Sequence, residues 1–212
     1  MNTSFLALAG AALLIGCPWA SAASNTDLTV TGSITPSACT PSLSNSGAVD
    51  LGKISIKDLR PDGWTILWDT MLQLRVSCEA QTRFALVPTD NRPEHTLPAN
   101  PETYGMGVID DALVGVYRMH LLRPVVDGKA VNVLGSTDSG QTWTVIPPGW
   151  GWVPKTLTAF GDDWWTGAQQ PIASKEFTVD LRIRPSIPPT RTLPVEQTLP
   201  LDGSATLDLV YL

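Results

Sequence analysis

The sequence predicts an all-β fold, a sandwich with long loops, on three observations. Short runs alternate apolar and polar residues with a period of two, which turns one face of each run toward a core. No stretch sustains a helical period between caps. Eighteen prolines and seventeen glycines in 212 residues divide the chain into short pieces, which suits strands and turns better than any helical arrangement.

From the first residue, an apolar run from Phe5 to Ile15 leads into small residues, with Ala20 and Ala22 at alternate positions. This reads as a secretory signal peptide over residues 1–23. Leu14-Ile15-Gly16-Cys17 also resembles a bacterial lipobox, so lipidation of Cys17 is the lesser alternative. The run is too short to cross a bilayer, and no later stretch offers a membrane span. Residues 24–212 are then one exported domain of about 190 residues.

The alternating runs are Leu28–Thr31, Leu72–Val76, Phe84–Val87, Val114–Met119, Phe177–Ile183 and Ala205–Tyr211. Between them stand turn signals such as Pro61-Asp62-Gly63, Asp127-Gly128 and Asp202-Gly203. Residues 143–171 differ in texture, holding five of the eight tryptophans and little alternation, and read as a long insertion between strands. Trp150, Trp152, Trp164 and Trp165 sit there among Pro and Gly. Flat rings of this kind stack on a sugar face or meet a partner protein, which makes a glycan a candidate ligand; the alternative is a small core inside the insertion.

Residues 136–143, STDSGQTW, fit the pattern Ser-x-Asp-x-Gly-x-Thr-Trp, which resembles the Asp-box of sialidases and other β-propeller proteins. Physically it is a hairpin turn, with Ser136 and Thr142 beside an Asp138 that bonds backbone amides. Gly140 takes a positive φ and Trp143 anchors the return strand in the core. A propeller needs several blades of four strands, and no second copy of the motif is present.

Setting Cys17 aside, Cys39 and Cys78 remain in an oxidising compartment, where such a pair most simply forms one disulfide. Two buried free thiols are the weaker alternative. Zinc is weaker still, because His95 and His120 do not stand at ligand spacing, so neither metal nor cofactor is expected. The net charge of −6 gives no basic surface for nucleic acid. No catalytic residue is assigned: no Gly-x-Ser-x-Gly is present, and Asp110-Asp111 and Asp162-Asp163 read as solvated loop charge.

Three pieces carry a resemblance to one family. The phrases ACTPSLSNSGAVDLG, DNR at 90–92, YGMG at 104–107, VGVY at 114–117 and the closing DGSATLDLVYL resemble the bacterial domain-of-unknown-function family numbered 1120. The Cys at the end of the first strand, the Cys closing LQLRVSC, and the terminal strand with its Gly and near-terminal Tyr resemble subunits of chaperone–usher fimbriae. The resemblance implies a non-enzymatic, immunoglobulin-like, pilin-like sandwich that lacks one strand. A periplasmic chaperone, and later another fimbrial subunit delivered by the usher, would fill the groove by β-strand addition. It assigns that pairing to the terminal strand and to its in-phase residues Gly203, Ala205, Leu207, Leu209 and Tyr211. Only about sixteen residues separate the expected cleavage site from Cys39. That leaves little chain for a donor extension, so a tip, terminal or accessory subunit is expected rather than a shaft pilin.

Overall fold

The computed structural model describes residues 38–97, 99–162, 169–194 and 198–212. The signal peptide, its boundary at residue 23, the run Leu28–Thr31 and Cys17 lie outside the described residues. Thr35–Leu212 forms one compact unit.

In chain order the strands are β1 (Cys39–Leu43), β2 (Thr65–Ile66), β3 (Thr70–Thr82), β4 (Phe84–Asp90), β5 (Tyr104–Gly105), β6 (Val108–Ile109), β7 (Ala112–Leu113), β8 (Val116–Val126), β9 (Lys129–Ala130), β10 (Asn132–Ser136), β11 (Thr144–Val145), β12 (Leu157–Gly161), β13 (Ser174–Ile187) and β14 (Ala205–Tyr211). Every strand pair among the described residues is antiparallel, and the only helical pieces there are short 3-10 turns. The fold is all-β.

One sheet runs β1-β3-β13-β8-β5, with β2 added to β13 and β9 to β8; the other runs β11-β10-β12-β4-β14. We call them the first and second sheets. β13 is the spine of the first, paired along its length with β3 on one side and β8 on the other. Its residues alternate without a break, Phe177, Val179, Leu181 and Ile183 buried and Thr178, Asp180, Arg182 and Arg184 facing outward. The two sheets share one core in a sandwich-like arrangement. Phe177 of the first sheet meets Phe84 and Phe160 of the second, with ring centroids 5.9 and 3.9 Å apart. Burying aromatic rings of this size supplies a large share of the core's hydrophobic free energy.

Turn chemistry places the connections. Asp127 and Gly128 take φ of 46° and 83° between β8 and β9, and Asp110 and Asp111 take 48° and 61° between β6 and β7. Two consecutive left-handed residues give the tight turn that matches strand twist. The Asp110-Asp111 pair is therefore a hairpin tip.

The stretch 143–171, expected to be a single insertion, contains β11 and β12. β12 lies inside the second sheet between β10 and β4, with Thr158, Ala159, Phe160 and Gly161 all buried. A strand covered on both faces has no polar alternation to reveal it. The excursion proper shrinks to the loop between β11 and β12.

Cys39 and Cys78 form a disulfide joining β1 to β3, and they are register partners in that pair. The bond closes a loop with a sequence separation of 39. Replacing both cysteines by alanine is expected to lower stability by about 4 kcal/mol in the chain-entropy account. The check is the urea unfolding midpoint of that variant against the oxidised protein.

Candidate functional site, an apolar cleft along the last strand

β14 is the terminal strand of the second sheet and pairs with β4 alone, from Ala205 opposite Asp90 to Tyr211 opposite Phe84. β1 is the edge of the first sheet on the same side. The two edges meet at one end, where the Cys39 amide donates to the Tyr211 hydroxyl at 3.0 Å. Away from that point they diverge, and a cleft of about 1170 Å³ opens between them.

Inward-facing residues of the first sheet make its floor, among them Leu72, Met119, Leu181 and Ile183. Its walls come from Val49, Leu51 and Ile54 on one side and from Leu199, Leu201 and Leu207 on the other. These wall residues are only partly buried although they pack against the core. The terminal-strand residues singled out from the sequence lie here: Ala205, Leu207 and Leu209 turn toward the core, and Tyr211 is exposed at the closed end. The outer backbone edge of β14 has no strand partner among the described residues.

The open end is fixed by a junction in which four of the quoted sequence phrases meet. The buried Asp90 carboxylate accepts from the Arg92 amide at 2.9 Å and from the Gly105 amide at 3.0 Å, tying DNR to YGMG. Arg92 donates to Asp202 at 2.8 Å, and the Asp202 amide donates to the Met106 carbonyl at 2.9 Å, tying both to the final phrase. Hydrogen bonding to Asp202 holds the Arg92 guanidinium above its ordinary pKa. The Asn91 side chain reaches Ser204 and Thr206 at 2.9 and 3.1 Å.

Two glycines allow the close approach. A Cβ at Gly203 would stand 2.9 Å from the Tyr117 ring and 3.2 Å from Met106, and one at Gly105 would stand 2.4 Å from the Arg92 carbonyl. Tyr117 in turn stacks on Tyr104 at 5.1 Å, and the Tyr104 hydroxyl donates to the Trp152 carbonyl at 2.7 Å. Burial raises the pKa of both tyrosines, so each remains a neutral phenol.

The other expected site residues separate. Trp152 is buried: its amide donates to the Met119 carbonyl at 2.7 Å and its indole N–H to Thr158 at 2.8 Å. Its ring has no free face for a ligand. Trp150 is 63% exposed. Trp164 and Trp165 lie outside the described residues.

The STDSGQTW turn forms a dense local network. Ser136 Oγ donates to Asp138 at 2.7 Å and accepts from the Gly140 amide at 2.9 Å. Asp138 accepts from the Thr142 amide and hydroxyl at 2.9 and 2.5 Å. Gly140 has the expected positive φ, 86°. Trp143 is buried as expected, but in a second cluster with Ala85, Leu134 and Ala159 rather than in the main core. No cluster of metal-ligating side chains occurs among the described residues.

The class defined by these features is an all-β, disulfide-bonded protein whose described residues leave an apolar cleft beside the last strand. The chain belongs to the family described as "Protein of unknown function (DUF1120)", whose model matches residues 28–141, more than half of its length. It is similar to Protein GltF of Escherichia coli (strain K12), with 24% identity and 89% of each chain covered. It is also similar to Uncharacterized protein YhcF of the same organism, with 25% identity over the whole of both chains.

Two outcomes are expected. Asp90→Ala leaves two amides without their acceptor, at about 1–3 kcal/mol for a buried one, and should lower the urea midpoint well beyond the change caused by Asp58→Ala on the surface. Hydrogen bonds from Thr142 and then Ser136 pull the Asp138 pKa down to about 2. That value lies below the unfolded one of about 3.9, so the turn's contribution is complete above roughly pH 4 and is lost as pH falls toward 2. The stability gap between the native chain and Asp138→Asn should therefore narrow in urea titrations run from pH 5 down to pH 2.5.

Proposed function

We propose that this protein is a non-enzymatic fimbrial or fimbria-associated subunit whose cleft accepts a β-strand from a periplasmic chaperone or a neighbouring subunit. The observation that carries this reading is the cleft itself. An apolar trough of about 1170 Å³ runs beside a strand whose outer backbone edge is unpaired among the described residues. An added strand would pair with β14 through its backbone and place alternate side chains over Leu72, Leu181 and Leu207, which is β-augmentation. Left unfilled, the same edge is a template for uncontrolled association, so a folding partner that covers it has a physical purpose.

The disulfide between β1 and β3, next to the closed end of the cleft, suits an extracytoplasmic location. In this reading the sandwich is the pilin-like variant of the immunoglobulin-like fold, with the missing strand belonging between β1 and β14. The short stretch expected before Cys39 favours a tip, terminal or accessory place in the fibre. The usher and other fimbrial subunits are the remaining partners.

The test is unfolding and gel filtration of the oxidised protein, alone and with a fimbrial chaperone or an alternating apolar donor peptide. The expected result is aggregation or weakly cooperative unfolding alone, and a monomeric, cooperative complex with the strand donor. Leu207→Glu, which puts a charge in the trough, should abolish the rescue. A stable, cooperatively unfolding monomer that ignores both donors would overturn the proposal.

A further inference from the structure

The outward face of the first sheet, opposite the cleft, concentrates positive charge in a protein of net charge −6. Arg118 is the register partner of Arg184, and His120 of Arg182, so four basic side chains occupy two adjacent rows on neighbouring strands. Strands stand about 4.8 Å apart, and like charges directly opposite each other, as Arg118 and Arg184 are, destabilise a sheet. Asp180 and Glu176 of β13 are held by Arg123 and Arg75, which leaves Asp69 as the carboxylate at the cluster among the described residues. Asp69 accepts two bonds from Arg184 at 2.8 Å and lies 3.7 Å from Arg182, while Arg118 has no carboxylate partner there.

Three nitrogens in this cluster are buried without a hydrogen-bond partner: Arg118 Nε, Arg182 Nε and His120 Nε2. His120 is only 5% exposed. Its Nδ1 lies 3.0 Å from the Gly149 carbonyl and 3.2 Å from that of Trp150, and donates to them. Burial, reinforced by Arg182, lowers its pKa and keeps the ring neutral. His120 thus pins the loop that carries the exposed Trp150 to the edge of the arginine cluster. On the other side Trp68, 57% exposed, immediately precedes Asp69, and Met71, also exposed, is the register partner of Arg182.

We propose that this face binds a carboxylate-bearing carbohydrate, with the guanidinium groups of Arg118 and Arg182 receiving the carboxylate and Trp150 stacking on the sugar ring. Planar guanidinium groups match a carboxylate in two-point contact. Exposed indoles on the two segments that flank the cluster, Trp150 next to the carbonyl-bound His120 and Trp68 next to Asp69, select a ligand with a flat apolar face, which a small anion or an acidic peptide backbone does not offer. His120 is a positioning residue, acting through the loop it holds.

The test is calorimetric titration of the full, oxidised chain with a hyaluronan hexasaccharide, whose only charges are glucuronate carboxylates. A chitin hexasaccharide serves as the neutral comparison, oligoglutamate as the acidic peptide and inorganic sulfate as the small anion. Saturable binding of hyaluronan, weakened by added salt and absent for the chitin oligomer, is the expected result. Arg118→Gln and Trp150→Ala should each weaken it by about tenfold or more while leaving the unfolding midpoint near that of the native chain. No binding, equal binding of the neutral sugar, preference for oligoglutamate or sulfate, or affinity unchanged in both variants would each overturn the proposal. The cleft lies on the other side of the sheet, so repeating the titration with a donor peptide bound separates a failure here from a failure of strand addition.

Discussion

The position of the last strand depends on one buried carboxylate. Asp90 ends β4 and binds the amides of Arg92 and Gly105, which bends the chain back so that Arg92 can hold Asp202. That bend acts together with the Asp202 amide bond to the Met106 carbonyl and the Asn91 contacts to Ser204 and Thr206 to set the segment before β14 against Tyr117 and Met106. Without these contacts the walls of the cleft would lose their alignment. Charged groups at this junction matter through the geometry they impose, since the Arg92–Asp202 pair is largely exposed and worth little by itself. The buried amides are the costlier part to disturb.

The two faces of the first sheet divide the chemistry. Inward, β13 and its neighbours offer aliphatic and aromatic side chains that make both the shared core and the floor of the cleft. Outward, the same strands carry Arg118, His120, Arg182 and Arg184. A period of two delivers both surfaces from the same residues, so neither can shift in register without exchanging places with the other. The long pairing of β13 on both sides, in constant register from Asp180 to Ile183 against β3 and to Ser186 against β8, is what opposes that slip.

Much of this was legible in the sequence where one face is wet and the other dry. β13 and β14 lie where alternation put them, and the cysteine pair follows from composition and compartment. β12 was hidden because Thr158, Ala159 and Phe160 are all covered, and Trp152 looked like a ligand surface because aromatic residues among Pro and Gly give no sign of depth. The arginine cluster was invisible for a different reason. Nothing local marks Arg118 or Arg184, and only the pairing register, which no local pattern encodes, sets them opposite one another. Likewise DNR, YGMG and the final DGS were noticeable as phrases, but their convergence is a property of the folded chain.

The order of synthesis has a consequence for how this protein matures. β4 is made before the midpoint of the chain, and its partner β14 comprises almost the final residues, with Ala205 returning to Asp90. Until β14 is made, β4 therefore waits with one edge unsatisfied. Pairing across so long a separation is slow to nucleate and exposed to aggregation while it waits. Completion of the second sheet must await β14. The Leu212 amide, which donates to the Arg83 carbonyl at 3.0 Å, extends that pairing by one bond, so a bulky group attached there would obstruct the closing step.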